Sequence, residues 1–136
     1  MLEVFSLAKD GGRRLSANFT VREFACWDGS DPVFVDSELV RVLQNIRDHF
    51  GKPVVITSAY RTAAHNKAVG GAKYSQHCYG RAADIRVAGV TVERLAAYAE
   101  TLLPDTGGIG RYPVRSGRPT GWVHVDVRTV KSRWKG

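Results

Sequence analysis

Hydrophobic residues recur along this chain with two different periods, which divide it into helices and strands. Between Asp36 and Gly51 the apolar positions are spaced by three and four, which predicts a long helix capped by the aspartate and ended by the glycine. A second long helix is predicted after Thr91, which caps it, and Pro104 lies just beyond its end. The inward-facing positions are Leu39, Val40, Leu43, Ile46 and Phe50 in the first helix and Val92, Leu95, Ala99 and Leu102 in the second.

Runs rich in β-branched residues, or with strict alternation, predict the strands. These runs are residues 2–8, 53–58, 82–87, 107–112 and 122–127. In the last run Trp122, His124 and Asp126 share one face and valines occupy the other. Asp84 similarly faces away from Ile85 in its own strand. The valine face is expected to pack on helices while the polar face lines a groove.

Two shorter helices complete the pattern. Thr20 and Glu23 have the spacing of a capping box, which predicts a helix over residues 21–27. Another helix is predicted from Thr62 to Val69, closed by two glycines. The fold class predicted is therefore α+β, with helices packed on one face of a small, mainly antiparallel sheet, in a single domain of residues 1–136.

Composition and charge limit the classes of partner that the protein is expected to bind. The chain has 136 residues, 43% hydrophobic and 24% charged, which suits one ordinary core. Its formal net charge of +7 favours an anionic partner such as nucleic acid, a membrane surface or a cell-wall polymer. Because the basic residues are scattered and no aromatic platform is interleaved with them, we expect no nucleic-acid partner. No apolar run reaches membrane-spanning length, so we expect no membrane insertion, and we expect a monomer.

Two imidazoles and a carboxylate are the candidate metal ligands of the chain. His77 and Asp84 are seven residues apart, and His124 follows forty residues later. Zinc accepts both ligand types, and three protein ligands leave the fourth tetrahedral position to water, as in catalytic zinc sites. The sequence therefore indicates a hydrolase with one Zn²⁺ ion.

The residues around these ligands resemble a known family. The first stretch matches, at every defined position, the signature of the zinc D-Ala-D-Ala carboxypeptidase superfamily: Ser75-x-His77-x-x-Gly80-x-Ala82-x-Asp84. The second motif of the superfamily is similar to Trp122-x-His124-x-Asp126. This superfamily includes peptidoglycan carboxypeptidases, vancomycin-resistance dipeptidases and phage L-alanyl-D-glutamate endolysins, and the hedgehog signalling domain shares its fold. Further similarity in residues 50–61, Asn66 and residues 107–113 is greatest to the small bacterial and phage branch.

The resemblance implies roles for five residues. His77, Asp84 and His124 match the zinc ligands of the family, in agreement with the chemistry of the side chains. Arg61 matches an arginine near the active site, where it would suit a substrate carboxylate or the developing oxyanion. Ser75 is placed to donate a hydrogen bond near the substrate, and the alternative is a hydroxyl that stabilises a turn.

The general base does not follow from the resemblance. Many members of the superfamily carry Glu, Asp or His three residues before the second histidine ligand, and here that position is Gly121. Asp126 is the carboxylate nearest to His124 in sequence and is predicted on the same face. It would either accept the proton of water or orient the histidine as a ligand, and both roles stay open. In either role, Asp126→Ala is expected to abolish turnover.

Four other residues have chemistry that would suit a site. His49 is placed at a helix end, where an imidazolium complements the helix dipole, and His65 is close enough in sequence to the double-glycine loop to reach the groove. Cys78 follows a candidate ligand, but a small buried thiol is the favoured interpretation, and two cysteines are too few for a disulfide framework. Trp122 either walls the cleft or serves packing.

The function indicated by these features is hydrolysis of the peptide stems or cross-bridges of bacterial peptidoglycan by metal-activated water. The alternatives are a carboxypeptidase that trims D-Ala from muropeptides and a non-catalytic zinc-containing binding module. The first residues lack the basic and apolar regions of a signal peptide. We therefore expect a phage or prophage protein, made in the cytoplasm and acting on the cell wall, or a virion-associated enzyme.

Overall fold

The computed structural model describes all 136 residues. The N-terminal part contains two small sheets and two short helical turns. Strand β1 (Leu2–Ser6) pairs antiparallel with β4 (Pro32–Asp36), and β2 (Arg14–Ser16) pairs with β3 (Phe19–Thr20). Helix α1 (Leu7–Asp10) follows β1, and a 3₁₀ turn (Val21–Phe24) follows β3.

The remainder of the chain forms a five-stranded sheet with its helices. The elements are α2 (Ser37–Phe50), β5 (Val54–Ser58), α3 (Ala63–Ala68), a 3₁₀ turn (Gln76–Tyr79), β6 (Ala82–Val87), α4 (Val92–Leu102), β7 (Gly108–Tyr112), β8 (Trp122–Asp126) and β9 (Ser132–Lys135). The strand order is β5-β6-β8-β7-β9, and only the pairing of β7 with β9 is parallel. The predicted α+β class with a mainly antiparallel sheet is confirmed.

One face of this sheet is the core face. Ile85 and Val125 on the sheet are buried, together with Leu43 and Ile46 of α2 and Leu95 of α4. Each such side chain contributes about 1.5 to 3 kcal/mol when removed from water. Because strand residues alternate, the residues between the core positions point to the opposite face, where the candidate ligands lie.

The caps read from the sequence define the two long helices. The side chain of Asp36 accepts the backbone N–H of Glu38 at the start of α2, and Gly51 ends that helix with a φ of 64°. Thr91 Oγ1 accepts the backbone N–H of Arg94 at the start of α4. None of the helices combines the length and the apolar character needed to cross a membrane.

Several predicted boundaries were wrong. The first strand ends at Ser6, because the Ser6 hydroxyl caps a helical turn that takes up the rest of the predicted range. The capping box of Thr20 and Glu23 is present, yet it starts a 3₁₀ turn of four residues rather than a helix reaching residue 27. Strands β2, β3, β4 and β9 lie outside the predicted runs, and β9 follows the run predicted as the last strand.

Candidate metal centre

The structure brings His77, Asp84 and His124 together in one buried cluster. His77 Nε2 lies 3.3 Å from Asp84 Oδ2, and His124 Nδ1 lies 3.1 Å from Asp84 Oδ1. The ligand atoms of the three residues all lie within 4.8 Å of one another. Two imidazole nitrogens and a carboxylate oxygen at this spacing fit the donor set of a zinc ion.

The sheet register explains how two of these residues meet. Asp84 on β6 and His124 on β8 are direct cross-strand partners of an antiparallel pair. Side chains at opposed positions of such a pair point to the same face, with Cβ atoms about 4.5 to 5.5 Å apart. The pairing therefore brings Asp84 and His124 into contact, although they are forty residues apart in sequence.

His77 is held by the 3₁₀ turn that precedes β6. Its backbone N–H donates to Ser75 Oγ at 3.2 Å, so the serine hydroxyl caps this turn. The ring nitrogen Nδ1 lies 2.7 Å from the carbonyl oxygen of Ala59. A carbonyl accepts only, so Nδ1 carries a proton and Nε2 is the ring nitrogen that faces Asp84 and the cluster.

Gly80 ends the turn that carries His77 in a conformation that few other residues adopt. Its φ is 70°, in the left-handed region. A Cβ atom at this position would also lie only 2.5 Å from the carbonyl oxygen of Phe34. Both the conformation and the close approach of the backbone therefore require glycine between the first two candidate ligands.

Asp126 lies behind His124, on the side away from Asp84. Its Oδ2 is 2.7 Å from His124 Nε2, whereas His124 Nδ1 faces Asp84. The carboxylate also accepts hydrogen bonds from Arg128 Nε at 2.8 Å and Nη2 at 2.6 Å, and from the backbone N–H of Gly108 at 2.9 Å. Asp126 is fully buried and does not line the cleft.

The electrostatics of the site keep both carboxylates ionised. Burial disfavours the charged form of Asp84, but hydrogen bonds with His124 and His77 outweigh it and hold the pKa of Asp84 well below its ordinary value. Burial is likewise outweighed at Asp126, where hydrogen bonds with His124 and Arg128 lower the pKa of the carboxyl. Hydrogen bonds with Asp126 and Asp84 raise the pKa of His124 against the effect of its burial.

Arg61 reaches the cluster from the loop after β5. Its Nη2 lies 3.4 Å from Asp84 Oδ2, its Nε donates to Ser58 Oγ at 3.0 Å, and its Nη1 donates to Asn66 Oδ1 at 3.2 Å. Asn66 is buried, and its amide also donates to the carbonyl of Ala72 at 2.8 Å. The guanidinium is therefore fixed in orientation beside the ligands.

A cleft of about 490 Å³ opens over the cluster. The residues that line it include Arg61, Ser75, Trp122 and Trp134. Trp134 comes from β9 and its ring lies 4.9 Å from that of His124. A Cβ atom on Gly110 would lie 2.5 Å from the Trp134 ring, so the absence of a side chain at Gly110 allows the ring to pack there.

The remaining candidates lie outside the cluster. His49 stacks on Tyr98, with ring centroids 3.7 Å apart, and neither His49 nor His65 lines the cleft. Cys78 is partly buried, and burial raises the pKa of its thiol. A Cβ atom on Gly121 would lie 2.7 Å from the Tyr112 carbonyl oxygen, so this position has no room for a catalytic side chain.

Three residues of the site are not predicted as site residues by the sequence: Arg128, Tyr112 and Trp134. Arg128 had a local signal, since its backbone N–H donates to Asp126 Oδ1 at 3.1 Å, as in the turns that Asp forms with residues two positions on. Tyr112 is the direct partner of Trp122 across β7 and β8, which only the register reveals. Trp134 reaches the site through the unpredicted strand β9.

Comparisons with known proteins agree with this geometry. The family model of Peptidase M15 matches residues 17–126, which include all three members of the cluster. The probable peptidoglycan L,D-endopeptidase MepK of Haemophilus influenzae is 33% identical over 110 residues, which are 75% of this chain and 55% of that protein. The chain thus spans about half the length of this curated relative. The match confirms the resemblance found in the two histidine motifs: the chain belongs to the Peptidase M15 family.

Proposed function

We propose that this protein is a zinc-dependent peptidase that cleaves the peptide stems or cross-bridges of bacterial peptidoglycan. The observation that carries the proposal is the convergence of His77, Asp84 and His124 at the base of an open cleft. The name of the MepK relative supports peptidoglycan as the substrate. The net charge of +7 favours encounter with an anionic cell wall.

His77 Nε2, His124 Nδ1 and a carboxylate oxygen of Asp84 would hold the ion. When bound, zinc supplies a Lewis acid that makes water nucleophilic near neutral pH and polarises the scissile carbonyl. Arg61 would fix a substrate carboxylate or stabilise negative charge on the carbonyl oxygen, because its guanidinium is held at the edge of the cleft by Ser58 and Asn66. Ser75 would act mainly by holding the turn that carries His77.

Asp126 is proposed to orient His124 rather than to take up the proton of water. Its carboxylate contacts the ring nitrogen on the far side of His124 and is paired with Arg128. Such an outer carboxylate fixes the tautomer of a ligand histidine and increases its basicity. Among the residues that line the cleft, Asp84 is the only carboxylate, so proton transfer would involve a ligand, the substrate or solvent.

Two alternatives have observations in their favour. A carboxypeptidase would use Arg61 to bind the terminal carboxylate of a stem, and this side chain lies beside the cluster. A non-catalytic zinc module is favoured by Gly121, where many relatives in the superfamily carry a general base.

The three possibilities give different products. Zinc-loaded protein is incubated with purified peptidoglycan, and the released ends are identified by mass spectrometry. New internal amino groups indicate an endopeptidase, free D-Ala indicates a carboxypeptidase, and no products with retained zinc indicate a binding module. His77→Ala is the inactive variant, and His49→Ala is the matched control because His49 lies outside the cleft.

A further inference from the structure

We propose that Trp122 and the loop of residues 115–120 form a subsite for the sugar rings of the glycan strand. This inference rests on the proposed function, since it assumes that peptidoglycan is the substrate. It adds that the protein recognises stems that are still attached to their sugars.

The position of Trp122 is the first observation. Trp122 lines the metal cleft and also lines a second groove of about 410 Å³ on its other side. The rest of this second groove is formed by the loop of residues 115–120. On β8, Trp122 shares a face with His124 two residues away, which places the two side chains about 7 Å apart along the strand. Trp122 is therefore the wall that the two cavities share, and the proposed substrate extends across it.

The second observation is that the ring of Trp122 is held rigidly. It stacks on Tyr112, with ring centroids 4.8 Å apart and planes 8° apart. The hydroxyl of Tyr112 accepts a hydrogen bond from Trp134 Nε1 at 2.8 Å. The guanidinium carbon of Arg118 lies 5.0 Å from the Trp122 ring centroid and 5.3 Å from that of Tyr112. Such a platform loses little conformational entropy when a ligand packs on it.

The chemistry of the groove matches a saccharide. A pyranose ring presents polarised C–H groups on its face, which pack on the electron-rich face of an aromatic ring. Its hydroxyl and acetamido groups require hydrogen-bond partners, and the exposed loop offers Arg115, Ser116 and Thr120 beside Trp122. The amino acids of a peptidoglycan stem, alanine, glutamate and a diamino acid, have no broad apolar face. The sugar is thus the part of the substrate that an aromatic platform can recognise.

An anionic polymer is a poorer occupant of the same groove. The groove contains two arginines, of which Arg118 already donates to the carbonyl oxygens of Pro113 at 3.2 Å and Gly136 at 3.3 Å. Arg115 is then the one cation of the groove without such a partner, whereas polyphosphate binding depends on several neutralising cations.

The test compares two sets of substrates. Disaccharide-peptide dimers released from peptidoglycan by a muramidase are compared with the same dimers after an amidase has removed the sugars. For zinc-loaded protein we expect kcat/KM to be about tenfold higher on the sugar-bearing dimers, which is within the range of one aromatic contact. Trp122→Leu should lose this preference, Trp122→Phe should keep it, and Trp27→Leu, which alters an exposed tryptophan outside both cavities, should keep it too.

Binding without turnover gives an independent measurement. Chitotetraose, an oligomer of N-acetylglucosamine, is titrated into zinc-loaded protein and binding is followed by nuclear magnetic resonance. We expect shifts in the Trp122 indole signal that Trp122→Leu abolishes and that 0.5 M salt leaves in place. Equal kcat/KM on both substrate sets with no chitotetraose binding would overturn the subsite, and so would binding of polyphosphate alone. Chitotetraose binding without cleavage of either substrate would support the subsite and contradict the proposed function.

Discussion

The carboxylate of Asp126 contacts the ring nitrogen of His124 that points away from Asp84, at a distance of 2.7 Å. This contact distinguishes between the two roles that the sequence leaves open for Asp126. A general base must reach the substrate side of the ligands, whereas an orienting carboxylate lies behind its histidine. The observed position corresponds to the second arrangement.

Asp126→Asn is therefore expected to lower the affinity for zinc by about 10-fold to 100-fold. The amide keeps the shape of the side chain but no longer carries the charge that fixes the His124 tautomer. The measurement is competition for zinc with a chelator of known affinity, followed by activity at saturating zinc. Unchanged affinity together with lost activity would instead assign the role of base to Asp126.

The pair of Asp126 and Arg128 is expected to contribute to stability as well. Arg128→Met would leave a fully buried carboxylate without its cation, and the free energy of unfolding should fall by about 2 to 3 kcal/mol. This is less than for a completely buried pair because the Arg128 side chain is 29% exposed. Urea unfolding measures the change.

A double-mutant cycle provides the control for that prediction. Combining Asp126→Asn with Arg128→Met removes both charges, so the double variant should lose less stability than the sum of the two single variants. Strict additivity would show that the two side chains do not interact in the folded protein. Arg128→Lys should be intermediate, because one ammonium group does not replace the paired contacts of the guanidinium.

Gly80 and Gly51 form a matched pair for testing the turn that carries His77. Both have positive φ, but a Cβ atom on Gly51 meets nothing within 4 Å, whereas one on Gly80 would lie 2.5 Å from the Phe34 carbonyl oxygen. Gly51→Ala should cost about 1 kcal/mol from the left-handed conformation alone. Gly80→Ala should cost at least about 1 kcal/mol more, because the backbone must also move. Equal losses in thermal unfolding would show that the close approach to Phe34 is not important.

Gln76 has the one buried side-chain atom without a hydrogen-bond partner. Its Oε1 is buried beside His77, and the residue lines the cleft. A buried polar atom without a partner costs about 1 to 3 kcal/mol, so Gln76→Met should stabilise the free protein. The same variant should raise KM for peptidoglycan fragments, since we expect the amide to bond to the substrate. An increase in stability with unchanged KM would show that the amide does not contact the substrate.

The elements that the sequence predicts well are those set by local chemistry. The caps Asp36, Gly51 and Thr91 act on neighbouring backbone groups, so their effects are visible within a few residues of sequence. The alternation of Trp122, His124 and Asp126 similarly fixes a common face without knowledge of the neighbours.

The features that the sequence does not predict depend on contacts with residues that are distant in sequence or with neighbouring side chains. Strand β9 has the sequence Ser-Arg-Trp-Lys, with no alternating apolar pattern, and it is a strand because it pairs with β7. Trp134 reaches the cleft through that pairing. The position of Asp126 behind His124 depends on side-chain rotation and on Arg128, neither of which a strand pattern specifies.

Zinc is expected to raise the thermal stability of the protein without being needed for folding. The core lies on the opposite face of the sheet from His77, Asp84 and His124, so the apolar packing does not depend on the ion. At free zinc 100 times above its dissociation constant, the stabilisation should be about 2.7 kcal/mol. Thermal unfolding with zinc and with a chelator measures it, and the shift should vanish in His77→Ala but persist in His49→Ala. A protein that unfolds at 25 °C on chelation would indicate a structural ion, and the non-catalytic module would then be the better proposal.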